Sequence, residues 1–589
     1  MSSVHKRPEA EEPAEEPVPQ FPHANCVAVR VMANVLESTF GPRSRDKLVV
    51  NQVATQHEPE NEGLPKMDDF TVANDGATLL NALPLEHPVA PIVTRILGPE
   101  RPGETSVEGQ DIPDGVSGGV ILTGALLSNA EDLLELGLHS YDIRQGYAIA
   151  LEQALSTLSA HSKPLSVFDD PAATAHAIAR TAMTGNDIGG LADEWASLAV
   201  AAVDEIGRPT EETFSVRCLG EGSLSDSRLV HGAILDRNTR ASDEMPRHVE
   251  EATVLLLDGH NSGGLQDPKW DENMVMQLES RSQLDDLDAH HAARRKAVVD
   301  HYVSLGVDVV ITRLGISQEY QRLLADAGIM GIRGVSVLEM KQCARATGAR
   351  LVRHPGDVSA DDLGYAGSVS EVRIEPRRGR RKNRYMTVID GCEGANGVAA
   401  EIHGVSGQPA DQAATELRKA AAALAAARGE GGAKTGVVPG AGAIELTLAS
   451  AVRGHAPQVS SRAQLAVEAF ADALERTVAA LIDNGGHDRL SVLANLHAAR
   501  AGGDTEIGFV YPDGKISNAV DAGVLDPTDY KQRLLVTATE VADLILRVDD
   551  AIDATFSEEP AGPGDVIYED RAENHLDYLE ENPGTRWDR

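Results

Sequence analysis

Residues 437–445 read Val-Val-Pro-Gly-Ala-Gly-Ala-Ile-Glu, a short β-rich run followed by a glycine turn and the first residues of an apolar helix. A glycine turn that opens a helix directs unpaired backbone N–H groups and the positive end of the helix dipole toward the space before it. Such a turn suits a phosphate group. A single one is more often only a turn, so the prediction depends on whether others occur.

Two more turns of this kind are present. Residues 74–78 read Asn-Asp-Gly-Ala-Thr after the short strand Phe-Thr-Val-Ala, and residues 114–119 read Asp-Gly-Val-Ser-Gly-Gly before a long apolar helix. Asp75 and Asp114 lie beside these glycines, where a carboxylate can hold the Mg²⁺ that accompanies nucleotide phosphates. In chain order, residues 74–78 are the first glycine turn, 114–119 the second and 437–442 the third. Together the three turns predict a phosphate and magnesium site.

The rest of the chain divides into helical ends and an α/β middle. Apolar residues at helical spacing cover Cys26–Phe40 and residues 141–160 and 463–483. Short strands separated by helices are predicted at 252–259, 307–315 and 349–354. This pattern indicates one helical domain made of both chain ends, with α/β domains inserted into it.

Composition narrows the class of protein. The chain has 589 residues, 42% of them hydrophobic but only 4% aromatic, so several domains with aliphatic cores are expected. No apolar run approaches the roughly 18 residues of a membrane span, and the acidic, proline-rich start is unlike a signal peptide. Four separated cysteines support neither a disulfide framework nor a zinc site. We therefore expect a soluble cytoplasmic protein with reduced thiols.

The charge is strongly negative and evenly spread. The formal net charge is −38, and lysine is scarce, with 12 residues. Such a surface suits a cytoplasm of very high salt, where screening removes the self-repulsion, and it argues against nucleic-acid binding. The exception is the basic run between Arg377 and Arg384, which is either a phosphate-gripping segment or, as we favour, a solvated loop or hairpin tip.

The order and spacing of these motifs resemble those of the group II chaperonins, the thermosome of archaea and its eukaryotic cytosolic counterpart. The resemblance covers about residues 21–555. Its matching segments are Phe-Gly-Pro-Arg-Ser-Arg-Asp-Lys at 40–47, Asn74–Thr78, Thr-Ala-Met-Thr-Gly at 181–185, residues 437–445, residues 464–475 and residues 526–552.

This resemblance implies a multidomain α and α/β chaperonin fold. An all-α equatorial domain, an α/β intermediate domain and an α/β apical domain with a helical lid protrusion are expected. The expected boundaries are 21–171 and 437–555 for the equatorial domain, 172–240 and 397–436 for the intermediate domain, 241–396 for the apical domain, and disordered tails at 1–20 and 556–589. An apolar stripe at Trp270, Met274, Val275 and Leu278 belongs either to the lid or client-facing surface or to the domain's own packing.

The resemblance also implies a function. Members form double rings, as homo- or hetero-oligomers with related subunits, and close a lid over unfolded client proteins when they bind and hydrolyse ATP. The implied cofactors are ATP and Mg²⁺, with K⁺ as a further ion. The implied nucleotide-binding residues, with Asp114 as metal ligand and Asp75 as remaining catalytic candidate, are Gly41, Pro42, Asp75, Gly76, Asp114, Gly115, Ser117, Gly440, Ala441, Gly442 and Asp526.

Departures from the family pattern concentrate in that site. Residues 113–118 keep Asp114, but Ser117 is the one replacement for three threonine hydroxyls. Asn186 stands where the family has a lysine that senses the γ-phosphate. Ala422 or Ala423 stands where a second catalytic aspartate orients the attacking water. Losing such groups slows phosphoryl transfer, because the reaction depends on positioning and charge stabilisation.

We therefore expect ATP binding with impaired hydrolysis. Two alternatives remain at this point. The chain is a fully active ATP-driven foldase if Asp75 suffices or a carboxylate elsewhere serves. It is a non-hydrolysing ring scaffold or adaptor with a specialised partner if catalysis is lost altogether.

Overall fold

The computed structural model describes most of the chain between residues 23 and 548, in these ranges: 23–50, 70–83, 87, 89–97, 115–185, 192–219, 222–236, 240–259, 265–266, 281–374, 384–392, 394, 396–404, 408–430, 435–511 and 514–548. Several predicted features lie outside these ranges, namely both tails, Asp114, Asn186, the stripe at 270–278 and the basic run up to Lys382.

The α-helices of the described residues are α1 His23–Glu37, α2 Gly76–Ala82, α3 Ala90–Leu97, α4 Val116–Glu135, α5 Ser140–His161, α6 Pro171–Ala182, α7 Ala192–Ile206, α8 Arg281–Ser304, α9 Gln318–Asp326, α10 Val337–Thr347, α11 Gln408–Arg428, α12 Ala443–His455, α13 Ala463–Asn484, α14 Arg489–Arg500 and α15 Thr528–Arg547.

The strands of the same residues are β1 Lys47–Val50, β2 Phe70–Ala73, β3 Phe214–Cys218, β4 Arg228–Val230, β5 Ala233–Asp236, β6 His248–Leu257, β7 Val309–Thr312, β8 Met330–Ile332, β9 Leu351–Val352, β10 Gly364–Ile374, β11 Arg384–Asp390, β12 Val398–Ile402, β13 Val437–Pro439, β14 Ile507–Val510, β15 Lys515–Asn518 and β16 Leu525–Pro527.

Helices from the two ends of the chain pack into one aliphatic core. α4 contacts α1, α13 and α15, and α5 packs against α13 and α15. Glycines set the spacing of these helices. A Cβ on Gly124 of α4 would come within 2.4 Å of the Ala33 Cβ, and one on Gly146 of α5 within 2.5 Å of the Ala463 carbonyl oxygen. The helices approach this closely because these positions carry no side chain.

Short paired strands interrupt this helical part. β1 pairs with β2, β13 with β16, and β14 with β15, each pair antiparallel. The pairing has a consequence for the predicted site, since Val438 lies opposite Asp526 and brings that carboxylate beside the third glycine turn.

The middle of the chain forms a mixed sheet in the order β5-β11-β10-β6-β7-β8, with β9 paired to β6. β6 is parallel to β7 and antiparallel to β10. Its side chains alternate between two cores: Val254 and Leu256 pack toward α10, whereas Leu255 and Leu257 pack toward α8 and α9. Helices therefore cover both faces of this end of the strand, which explains why the last four residues of β6, Val254–Leu257, are all apolar.

A smaller sheet, β3-β12-β4, packs against α6, α7 and α11. α11 fills this core with alanines and Leu417 and Leu424. Val437 and Leu525, from the strands that flank the third glycine turn, belong to the same core. α11 thus lies both in this core and beside the predicted site.

The second glycine turn is shorter than the sequence indicates. Gly115 has a φ of +93°, and α4 begins at the next residue, so Ser117 and Gly118 lie in the first helical turn rather than in a loop. A backbone with positive φ favours glycine and commonly marks the boundary of a helix, so α4 begins directly after Gly115. Among the described helices, none is long and apolar enough to cross a membrane.

Candidate nucleotide site

A cavity of about 640 Å³ lies where the three glycine turns meet, within the usual size range of small-molecule sites. Its wall contains these predicted residues: Gly41, Pro42, Asp75, Gly76, Gly115, Ser117, Ala441, Gly442 and Asp526. Gly440 is not among the described wall residues, and a Cβ on it would lie 3.1 Å from Asp526 Oδ2. Asp114 and Asn186 fall outside the described residues.

The turns touch one another directly. A Cβ on Gly76 would lie 2.4 Å from the Ser117 hydroxyl oxygen, and one on Gly185 would lie 2.7 Å from the Gly41 carbonyl oxygen. Ser44 donates a hydrogen bond of 2.6 Å to the Gly185 carbonyl. These glycines are required because any side chain would separate the loops and fill the space between them.

The helix that follows the second turn presents its N-terminus to the cavity. The first hydrogen bond of α4 runs from the Gly119 N–H to the Gly115 carbonyl oxygen at 2.8 Å. The N–H groups of Val116, Ser117 and Gly118 precede that bond, and all three residues lie on the cavity wall. Such groups are the usual partners of a phosphate, so this end of the cavity fits one.

Asp75 uses both carboxylate oxygens. Oδ2 accepts hydrogen bonds from the Thr78 N–H at 2.9 Å and the Thr78 hydroxyl at 2.8 Å, which caps α2. Oδ1 accepts a bond of 2.7 Å from the Lys419 ammonium. Burial opposes ionisation of Asp75, but the charge and hydrogen bonds of Lys419 and Thr78 hold its pKa below the ordinary value.

Lys419 and Glu416 are the site residues that the sequence did not reveal. Lys419 Nζ also bonds Glu416 Oε1 at 3.1 Å, and both residues lie on the cavity wall with Ala423. The spacing 416, 419, 423 is one face of a helix. That spacing was the only signal in the sequence. Of the two alanines aligned with the missing aspartate, Ala423 is on the wall, and Ala422 is not among the described wall residues.

A second lysine lies at the third turn. Lys531 Nζ contacts Glu445 Oε1 at 2.6 Å and Asp526 Oδ2 at 3.0 Å. Burial alone would lower the pKa of Lys531, but the two carboxylates raise it above its ordinary value, so the ammonium is charged. At another part of the wall, the Arg43 guanidinium lies over the Tyr511 ring, 5.6 Å from its centre.

The described wall is balanced in charge, unlike the whole chain. Its carboxylates are Asp75, Glu416, Glu445 and Asp526, and its cations are Arg43, Arg180, Lys419 and Lys531. The described part of the wall is therefore locally neutral despite the net charge of −38. The described carboxylates nearest the first two turns, Asp75 and Glu416, are already bonded to Lys419.

Comparison with known proteins identifies the class to which this fold and cavity belong, the chaperonins. The model of the TCP-1/cpn60 chaperonin family matches residues 32–555. A thermosome subunit of Methanopyrus kandleri is 32% identical over 537 residues, which is 90% of this chain and 91% of that protein. A thermosome subunit beta of Archaeoglobus fulgidus is 32% identical, covering 92% and 93% of the two chains.

A thermosome subunit beta of Aeropyrum pernix is 33% identical, covering 90% of this chain and 91% of its own length. The chain belongs to the TCP-1/cpn60 chaperonin family, as a divergent member of the group II branch. This confirms the resemblance and the chaperonin fold class that the motifs predicted.

Proposed function

We propose that this chain is a thermosome-like ring subunit that assists protein folding, binds ATP with Mg²⁺ in the cavity and hydrolyses it slowly. In this proposal residues 21–171 and 437–555 form the equatorial domain, 172–240 and 397–436 the intermediate domain, and 241–396 the apical domain that contacts unfolded clients. Related subunits, or further copies of this chain, complete the double ring.

ATP binding is supported by the wall of the cavity. Three glycine turns and the N-terminus of α4 offer backbone N–H groups to phosphates. Asp526 and Glu445 with Lys531 offer polar groups for the sugar at the third turn. When bound, Mg²⁺ would neutralise and orient the phosphates; Asp114 is the residue proposed to hold it.

Slow hydrolysis is supported most strongly by the state of Asp75. Both of its oxygens are hydrogen-bonded, one to Lys419 and the other to Thr78, so this carboxylate is committed to holding α2 and α11 rather than a water molecule. The other position expected to orient water is Ala423, whose methyl group can neither accept nor donate a proton. Removing a positioned base typically costs ~10²–10⁴ in rate.

Phosphate release by the purified protein tests this function. The assay uses the full chain, Mg²⁺ and ATP at the salt concentration at which the protein is folded, with Asp114→Ala as the matched control. The expected result is measurable ATP binding with phosphate release close to that of Asp114→Ala. Turnover well above that control would instead identify an active ATP-driven foldase, and failure to bind ATP would favour a nucleotide-independent scaffold.

A further inference from the structure

Lys419 contacts the first glycine turn through its ammonium group. Its Nζ lies 2.7 Å from Asp75 Oδ1 and 3.1 Å from Glu416 Oε1. The side chain is 13% exposed, and its partners are 17% and 5% exposed, so the group is largely sheltered yet borders the cavity. Lysine is rare in this chain, with 12 residues, yet two of them, Lys419 and Lys531, lie on the wall of this cavity.

The position corresponds to the phosphate end of the cavity. Asp75 is followed by Gly76, and Gly76 packs directly on Ser117 at the start of α4. The ammonium therefore stands beside the junction of the two turns whose N–H groups suit phosphates. The other described cations of the wall have partners elsewhere: Lys531 contacts Glu445 and Asp526, Arg180 contacts Asp193, and Arg43 lies over the Tyr511 ring.

The charges of Lys419, Asp75 and Glu416 also determine how this part of the wall meets an anionic ligand. Asp75 and Glu416 repel an incoming phosphate, and the charge that offsets them is the Lys419 ammonium. An ammonium has three N–H donors on a flexible stem, so it can turn from a carboxylate to a nearby phosphate by side-chain rotation. A terminal phosphate carries more negative charge than a carboxylate and competes well for it.

We infer that Lys419 is a specificity-determining residue, which binds the terminal phosphate of a nucleoside triphosphate and so distinguishes ATP from ADP. The inference rests on the proposed nucleotide site and deepens it. Nucleotide binding then exchanges the longer Lys419–Glu416 bond for a Lys419–phosphate bond, while the Lys419–Asp75 bond is kept and no covalent step occurs. Because Lys419 lies on α11, the presence of a triphosphate is passed to the core that α11 shares with α6 and α7.

Equilibrium binding of ATP and ADP tests the inference, using the full chain with Mg²⁺ and three variants. Lys419→Met removes the charge at similar length, Lys419→Arg keeps it, and Lys296→Met makes the same change at an exposed lysine of α8. We expect Lys419→Met to lose about tenfold in ATP affinity, the scale of one charged hydrogen bond. Its ADP affinity should change less than about threefold, and Lys296→Met should match the unmodified chain.

A second measurement needs no variant and covers the case in which Lys419→Met does not fold. Trace acetylation of the unmodified chain, followed by mass spectrometry, reports the reactivity of each lysine. ATP should lower labelling of Lys419 several-fold relative to ADP and leave Lys296 unchanged. Equal labelling of Lys419 with both nucleotides, or an unchanged ATP-to-ADP affinity ratio in a folded Lys419→Met, would overturn the role inferred for Lys419. Either result would leave the proposed nucleotide site in place. If the unmodified chain binds neither nucleotide, the proposed nucleotide site fails, and the inference fails with it.

Discussion

At the scale of single residues, the hydrogen bonds of Lys419 and Asp75 determine what the site can do. Asp75 caps α2 through Thr78 and bonds Lys419 through its other oxygen. A carboxylate in this state stabilises the junction between α2 and α11. The same bonds withdraw it from chemistry on a water molecule, so structure and activity are in competition at this residue.

Restoring one lost group should recover little activity. In Ala423→Asp the new carboxylate lies four residues after Lys419 on α11, where helical geometry favours an ion pair between them. Because parts of a catalytic site act together, we expect phosphate release to rise less than about tenfold. Adding Asn186→Lys and threonine at Val116 and Gly118 should raise it further. Full activity from Ala423→Asp alone, measured beside Ala422→Asp, would contradict this.

The Asp75–Lys419 bond predicts a specific pH dependence of stability. The folded pKa of Asp75 lies below the unfolded value of about 3.9. Its stabilisation is therefore complete above the unfolded pKa and is lost as pH falls through the folded pKa. Asp75→Asn keeps a capping residue but removes the charge, so it should lower the free energy of unfolding by ~1–3 kcal/mol at pH 7.

The difference in the free energy of unfolding between Asp75→Asn and the unmodified chain should shrink as the pH falls from about 5 to about 3. Urea unfolding at several pH values, at constant salt, measures it. Parallel losses of stability in the two proteins would show that the Asp75 charge contributes nothing.

At the scale of elements, glycines at helix crossings decide how closely α4 and α5 approach their neighbours. Gly146→Ala should destabilise the fold by ~1–3 kcal/mol, because its Cβ would lie 2.5 Å from the Ala463 carbonyl oxygen. Gly454→Ala in α12 is the matched control, since a Cβ there meets nothing within 4 Å. That change should stabilise by up to ~1 kcal/mol through helix propensity. If denaturant unfolding showed changes in the free energy of unfolding of the same sign for Gly146→Ala and Gly454→Ala, this explanation of the helix packing would be wrong.

The glycine turns and the main helices could be predicted from the sequence because their signals are local. Gly115 and Gly442 adopt positive φ, which glycine adopts at little cost, and Phe70–Ala73 forms the strand predicted before the first turn. The contact of Lys419 with Asp75 could not be predicted. Residues 420–427 of α11 are seven alanines and one leucine, so apolar periodicity does not identify which face meets the cavity.

At the scale of the whole molecule, charge and assembly oppose each other. A chain of net charge −38 would need salt to form the proposed rings, since the screening length is about 10 Å at 0.1 M and about 3 Å at 1 M. Leu48 and Leu490 are 62% and 73% exposed in the single chain and are candidate contacts between subunits. We therefore predict a large particle at ~3 M KCl that dissociates toward ~0.1 M.

Sedimentation and far-UV circular dichroism across that range measure the mass and the helicity. A ring that persists unchanged at the low end would contradict the prediction of a salt-dependent protein. A folded monomer at high salt, alone and mixed with related subunits, would contradict the ring.

The central claim is that this chaperonin subunit holds ATP without turning it over readily, and a single-turnover experiment tests it most directly. Radiolabelled ATP is mixed with excess protein and Mg²⁺ at high KCl, and the nucleotide retained on the protein is identified over time. The account predicts that the retained nucleotide remains ATP, while Asp114→Ala retains little of either nucleotide. Rapid conversion of the retained ATP to ADP by the unmodified chain would contradict it.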